Sequence, residues 1–388
     1  MRRTVRLAKP LRDRVLAGHP WVYDRALHPV RDLVAGELVA ITDERGPLAT
    51  AFGDPESPIR ARIVDRDPAC ACDATWTRGR VLAAAERRAR DPLLAGCTGR
   101  RIVHGEADAC PGLVVDVYAD TAVIALDGAA AAVFWRPRLL DVVAGLERGG
   151  TAVAHAWLRG ERTTKAPGEA VRGDPPAEVV IAEDDARFGV DVRAGQKTGF
   201  FLDQRDNRRL VARHAAGARV LNLCAYTGGF SLHAALGGAT HVTSVDLAAP
   251  AIAALARNLE LAQLPVDAHE LVVADVFDHL ARARDQGRRW DLVIADPPSF
   301  APSERARPAA LRAYDRLARA ALAVVEPGGR FALASCSSHV GEADLLALPA
   351  LARPDLRLRI AAGAASDHPV LPAFPEGRYL KFLFFDVG

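Results

Sequence analysis

Six short apolar segments in the second half of the chain alternate with helix-patterned stretches. They are Arg219 to Leu223, His241 to Val245, Glu270 to Val273, Asp291 to Ala295, Arg330 to Ala334 and Leu380 to Asp386, with helical patterns over Gly229 to Leu236, Ala249 to Gln263, Val276 to Asp285 and Pro308 to Val325. Alternation of this kind predicts an α/β domain with a doubly wound, Rossmann-like sheet. Ligands of such sheets bind beyond the carboxyl ends of the strands, so chemistry-bearing residues at successive strand ends converge on one pocket. Four strand ends carry such residues: Asn222 to Phe230 (NLCAYTGGF), Val245-Asp246, Asp296-Pro297-Pro298-Ser299-Phe300, and Ser335-Cys336-Ser337.

Each end suggests a role. Asn222 and the turn Tyr226-Thr227-Gly228-Gly229 lead into a helix, where glycine lets a ligand approach the backbone and the helix N-terminus. Asp246, at the end of the next strand, is placed to accept hydrogen bonds from both ribose hydroxyls of an adenosine-containing cofactor, and Asp275 is placed for an adenine amino group. The loop lacks the G-x-G-x-x-G pattern that cradles a pyrophosphate, which favours S-adenosylmethionine over a dinucleotide. In Asp296-Pro297-Pro298 the prolines stiffen the turn, and Asp296 can hydrogen-bond a cytosine ring nitrogen or amine. Cys336 directly follows the strand FALAS, where its thiol can face the crevice as a nucleophile, although a free cysteine is most often a small buried apolar residue. Cys224, inside the cofactor loop, reads as packing.

The rest of the chain supplies context. Its 388 residues, half of them apolar, exceed one ordinary domain. Residues 1–75 hold short β-like runs (Leu38 to Thr42, Leu48 to Phe52, Ile59 to Val64), as expected for a small β-rich domain. Residues 76–185 read as an α+β middle domain, with helices over Thr75 to Ala89 and Phe134 to Leu146, a hairpin across Ala119-Asp120, and a loop from Pro167 to Pro176. Residues 186–388 form the α/β domain. No apolar run is long enough for a membrane span and the start lacks a signal-peptide pattern, so a cytoplasmic location is expected. Six scattered cysteines argue for reduced thiols, and no zinc-ligand spacing is present, so no metal is expected.

Net charge is only +2, yet Arg2, Arg3, Arg6, Lys9, Arg12, Arg14, Arg25 and Arg31 cluster near Trp21 and Tyr23. That is either a footprint for RNA phosphates and bases or a solvated N-terminal helix with two core aromatics.

Taken together, these motifs resemble the bacterial 23S ribosomal RNA cytosine-5 methyltransferases that carry an N-terminal PUA domain. The likeness rests on Gln196 to Arg205 (QKTGFFLDQR), Asn222 to Phe230, Asp296-Pro297-Pro298 and Ser335-Cys336-Ser337. His19 to Tyr23, Gly105 to Asp108 through Leu113, Asp367-His368-Pro369 and Pro375-Glu376-Gly377 extend it over nearly the whole chain. The resemblance implies an RNA-binding PUA domain, a class I methyltransferase domain, and a cofactor site that adds Lys197, Thr198 and Phe200 to Asn222, Tyr226, Thr227, Gly228, Asp246, Asp275 and Asp296. It implies Cys336 and Asp296 as catalytic residues and 23S rRNA as partner, and leaves a homodimer open. Unlike two-cysteine RNA cytosine-5 methyltransferases, the chain has Pro298-Ser299 where those carry a second cysteine after the motif proline. Phe300 reads equally as a base-stacking ring or as core packing. Two rivals stand beside this reading: a methyltransferase acting on an exocyclic amine of adenine or guanine, and a non-catalytic RNA-binding or ribosome assembly factor.

Overall fold

The computed structural model describes residues 2–160, 166–301 and 303–388. They divide into two units, the first built from Met1–Ile181, Val190–Leu202 and Ser366–Gly377, the second from Ala182–Gly189, Asp203–Ala365 and Arg378–Gly388.

The first unit holds two five-stranded sheets. One, in the spatial order Arg3–Arg6, Leu38–Asp43, Gly46–Gly53, Ala61–Asp65, Trp21–Val22, is antiparallel except for the parallel pairing of Arg3–Arg6 with Leu38–Asp43. Its alternating inward residues Val5, Leu7, Val39, Ile41, Ala49 and Ala51 make a small core. The other runs Glu169–Arg172, His155–Leu158, Thr121–Leu126, Leu113–Tyr118, Gly99–His104, and packs against helices Ala74–Ala89 and Leu139–Arg148 through Val81, Ala84, Val142, Val143 and Leu146. Its buried charges are paired: Arg88 grips Asp108 with two bonds of 2.7 Å, and Arg101 grips Asp116 at 2.7 and 2.8 Å. Burying such ions unpaired costs several kcal/mol, on the order of 3–5, so the bidentate geometry is required.

The second unit is a seven-stranded sheet. Its strands are β1 (Arg219–Leu223), β2 (His241–Asp246), β3 (His269–Val273), β4 (Trp290–Ala295), β5 (Val325–Ser335), β6 (Leu356–Ala362) and β7 (Lys381–Val387). They lie in the order β3-β2-β1-β4-β5-β7-β6, parallel except that β7 runs antiparallel to both neighbours. The helices are α1 (Arg205–Arg213), α2 (Gly229–Leu236), α3 (Ala249–Leu261), α4 (Val276–Asp285), α5 (Arg307–Leu322) and α6 (Glu342–Leu346). Successive strand residues point to opposite faces. Leu221, Leu223, Val293, Phe331, Leu333, Leu383 and Phe385 therefore pack on α4 and α5, while Val220, Leu292, Ile294, Ala332, Phe382 and Phe384 pack against Leu210, Val211, Phe230 and Ala234 of α1 and α2. Both faces are apolar because both are covered.

Several expectations are corrected. The stretch Phe134 to Leu146 is two helices, Ala129–Trp135 and Leu139–Arg148, because Pro137 lacks an N–H and restricts the residue before it. The segment Pro167 to Pro176 contains an edge strand, Glu169–Arg172, paired antiparallel to His155–Leu158. The N-terminus is a strand, Arg3–Arg6, followed by a helix of only six residues, Arg12–Ala17. The helix expected to reach Val325 stops at Leu322, and β5 begins at Val325. Helix α1 and strand β6 escaped notice. The first is mostly polar (RDNRRLVAR), and the second (LRLRIAA) is an edge strand paired only with β7.

Candidate active site

The first strand end is a tightly held loop. Cys224, Tyr226 and Gly228 all have left-handed backbone, at φ of 58°, 49° and 87°. A Cβ on Gly228 would sit 2.5 Å from Leu255 Cγ, so glycine is required both for the dihedral and for the close approach of α3. Asn258 of α3 fastens the loop, its Nδ2 donating to Thr227 O at 2.8 Å while its Oδ1 accepts from Gly189 N at 2.9 Å. Asn222, 1% exposed, donates through Nδ2 to Ser231 Oγ at 2.9 Å, and that hydroxyl meets Ser244 Oγ at 2.7 Å. Asn222 Oδ1 and Thr227 Oγ1 are buried without a partner among the described residues.

Asp246 closes the loop from the second strand. It accepts from Tyr226 N at 2.8 Å and Ala248 N at 2.9 Å, one bond to each carboxylate oxygen, and a carboxylate retains acceptor sites beyond these. Asp275 caps α4, its Oδ1 accepting from Phe277 N at 2.8 Å and Asp278 N at 3.3 Å. Asp296, at the end of β4, accepts from Gln204 Nε2 at 3.0 Å; Gln204 is oriented in turn by Asn207, whose Nδ2 donates to Gln204 Oε1 at 2.6 Å and to Gly363 O at 3.0 Å. Burial, followed by the charges of Asp296, Asp246 and Asp275, pushes the Cys224 thiol up to about 12, which keeps it protonated and marks how these carboxylates surround the end of β1.

Cys336 is half-buried just past β5. Register places it beside the end of β4, since Ala295 pairs with Leu333. Ser335 Oγ meets Tyr314 OH at 2.8 Å, and Ser337 Oγ donates to Ala301 O at 3.1 Å, so both neighbours of the cysteine are pinned. Burial, with the charges of Cys336 and Asp296 adding to it, pushes the Tyr314 phenol up to about 12. The ring of Phe300 lies edge-on against Tyr314, 4.9 Å between centroids, and packs on the core.

The second unit thus gathers Asn222, Tyr226, Thr227, Gly228, Asp246, Asp275, Asp296 and Cys336 at the carboxyl ends of β1 to β5. Lys197, Thr198 and Phe200 belong instead to the first unit. There Thr198 Oγ1 bonds Tyr118 OH at 2.8 Å and donates to Asp116, Phe200 N donates to the same phenol at 3.2 Å, and the Lys197 ammonium lies 4.4 Å over the Phe201 ring. The basic N-terminal cluster is also divided: Arg2, Arg3 and Arg12 are spent on Thr50, Glu37 and Asp43, while Arg6, Lys9, Arg14, Arg25 and Arg31 are exposed.

Three residues escaped the sequence reading. Gln204 stood within the quoted QKTGFFLDQR segment but gave no sign of its partner. Leu247, directly after Asp246, is 71% exposed, which is unusual for a large apolar side chain at a strand end. Lys381, 3% exposed at the start of β7, is one of four lysines in a chain whose other basic residues are arginine.

A sheet in the order 3-2-1-4-5-7-6, with a glycine-held first loop and an acidic second strand end, defines a class I S-adenosylmethionine-dependent methyltransferase. A family model described as S-adenosylmethionine-dependent methyltransferase matches residues 142–384, and one for a PUA-like domain matches residues 5–66. The chain is 39% identical to a ribosomal RNA large subunit methyltransferase of Deinococcus radiodurans, over 99% of this chain and 97% of that one. It is 36% identical to ribosomal RNA large subunit methyltransferase I of Aeromonas salmonicida, over 97% of each. Among solved structures, a SAM-dependent methyltransferase from Streptococcus mutans superposes with a TM-score of 0.85 at 23% identity, covering 99% of this chain and 100% of that one. A methyltransferase crystallised with SAH gives 0.86 at 23% identity, with both chains fully covered, and this shared fold extends to the whole chain. The chain belongs to the ribosomal RNA large subunit methyltransferase I family. No helix among the described residues is long and apolar enough to cross a membrane.

Proposed function

We propose that the protein transfers a methyl group from S-adenosylmethionine to carbon 5 of a cytosine in large-subunit ribosomal RNA, through a covalent bond between Cys336 and carbon 6. The observation that carries this reading is the placement of a half-buried cysteine directly after β5, beside the carboxylate that ends β4, in a chain of this family.

The residues fit the cofactor. Asn222 Oδ1 and Thr227 Oγ1, at the first strand end, are buried without a partner among the described residues and so are available to a ligand, and Asp246 has acceptor capacity for ribose hydroxyls. Leu247 offers an apolar face to the adenine, and Asp275 and Asp296 line the remaining strand ends. The bound cofactor supplies an electrophilic methyl group.

Carbon 5 of cytosine is a poor nucleophile. Addition of the Cys336 thiolate forms an S–C6 bond and shifts the C5–C6 π electrons into an enamine, while Asp296 shares a proton with N3 to hold the displaced charge. Carbon 5 then takes the methyl group, its proton passes to water, and the electrons of that C–H bond reform the C5–C6 double bond as the S–C6 bond breaks to regenerate the thiolate. Gln204 and Asn207 hold the Asp296 carboxylate in place for this. The target base must be unstacked, which single-stranded or locally opened RNA makes cheap. The exposed arginines of the PUA-like domain suit phosphate contacts, a cytoplasmic location suits the substrate, and a homodimer is compatible with it.

Cys336→Ala with retained cofactor binding should abolish 5-methylcytosine formation on ribosomal RNA. RNA carrying 5-fluorocytidine should trap a covalent adduct with the wild-type protein only. Near-normal turnover of the variant would sink the covalent mechanism and favour transfer to an exocyclic amine.

A further inference from the structure

The buried amine of Lys381 has no part in the chemistry above, yet it is fastened to the strand end that carries the nucleophile. Lys381 opens β7 and pairs with Ser335, the residue before Cys336, across the antiparallel ladder. Directly opposed residues share a face of the sheet, so its side chain rises on the side of α5, where Ser335 meets Tyr314. Nζ turns back over the strand end to donate to the carbonyl of Ser337, the residue after Cys336, and to Tyr379 O at 2.9 Å. The amine is therefore tied to the backbone just after the thiol, and the backbone of Lys381 pairs with the residue just before it. Holding an ammonium at 3% exposure is costly unless it is hydrogen-bonded, as it is here. The chain's basic residues are otherwise almost all arginine, with lysine at only four positions.

The charges around the amine are few. Burial draws the Lys381 ammonium down to about 8, against the opposing pull of Cys336 and Asp344. Asp344, on α6, is engaged by Arg307 of α5 and by Gly341 N at 2.8 Å. Tyr314, on α5, is neutral at physiological pH. Asp296 adds negative charge from the end of β4. Among the described groups Arg307 is engaged by Asp344 and His339 Nδ1 lies 3.3 Å from Glu304 Oε2, while the Lys381 ammonium feels the charge of Cys336.

We propose that Lys381 is a positioning residue whose ammonium holds Cys336 as a thiolate and fixes the strand end that aims it. This rests on the reading of Cys336 as the nucleophile. The Cys336 proton leaves to solvent, and the thiolate charge is balanced by an ammonium that neither gains nor loses a proton in the step.

The test is the pH dependence of iodoacetamide alkylation at the Cys336 peptide, read by mass spectrometry on the full-length protein with no RNA. In the wild type the midpoint should fall below the ordinary thiol value of about 8.5. In Lys381→Met it should rise by about one unit, with roughly tenfold slower labelling at neutral pH. Methylation by Lys381→Met should recover as pH is raised, while the KM for the cofactor stays near wild type. A wild-type midpoint at or above 8.5 overturns the proposal even if the variant does not fold, as does an unchanged profile in a folded Lys381→Met. If instead Cys336→Ala methylates normally, the nucleophile reading fails while the labelling profile still reports the Lys381 coupling, so the two failures are told apart.

Discussion

Glu183 anchors the helices behind the cofactor loop, and its removal has a calculable cost. Its carboxylate, 1% exposed, accepts from Arg208 Nε and Nη2 at 2.6 Å each, lies 2.9 Å from His233 Nε2 and 3.6 Å from Arg205 Nε. Arg205 and Arg208 belong to α1, and His233 to α2, whose N-terminus is the cofactor loop. Burial alone would raise the Glu183 pKa, but Arg208, aided by His233, holds it well below the usual carboxylate range. Glu183→Ala removes the buried carboxylate that both guanidinium groups face, a loss of about 3–5 kcal/mol. For a domain of about 150–250 residues each kcal/mol is worth about 2–4 °C, so the melting temperature should drop by about 6–20 °C. Differential scanning calorimetry measures this, and titration calorimetry should show weaker S-adenosylmethionine binding as α1 and α2 loosen. Because the folded pKa lies below the unfolded value of 4.5, the stabilisation is complete above that pH and is lost as pH falls through the folded value. The gap between wild type and Glu183→Gln should therefore narrow on acidification below about pH 4.5. A Glu183→Ala protein melting within about 2 °C of wild type would refute the reasoning.

Gly228→Ala must hold a left-handed residue at a cost of about 1–2 kcal/mol and place a Cβ 2.5 Å from Leu255 Cγ, so cofactor affinity should weaken at least about tenfold by calorimetry. Gln204→Ala removes the donor that holds Asp296; kcat should fall about 10- to 100-fold while the cofactor Kd stays within about threefold, and an unchanged kcat would deny Gln204 its positioning role.

The alternation of strand and helix, the glycine turn, and the acidic and cysteine-bearing strand ends were all legible in the amino-acid order, because backbone preference and two-sided burial act locally on residues close in sequence. Those signals sufficed for the doubly wound sheet and for the class of cofactor. They were silent on α1, whose buried face is charged: Arg205 and Arg208 look like solvent-facing residues until Glu183, some twenty residues upstream, is brought against them. The same holds for the Gln204–Asp296 bond and for Lys381 lying against the strand end of Cys336, pairs separated by tens of residues in the chain. Polar and ionic partners become visible only when chain folding removes water and brings them within hydrogen-bonding distance. Sequence thus determined which groups are available for chemistry, and tertiary structure alone decided which of them are held together, since desolvated pairing depends on distance in space and leaves no periodic trace along the chain.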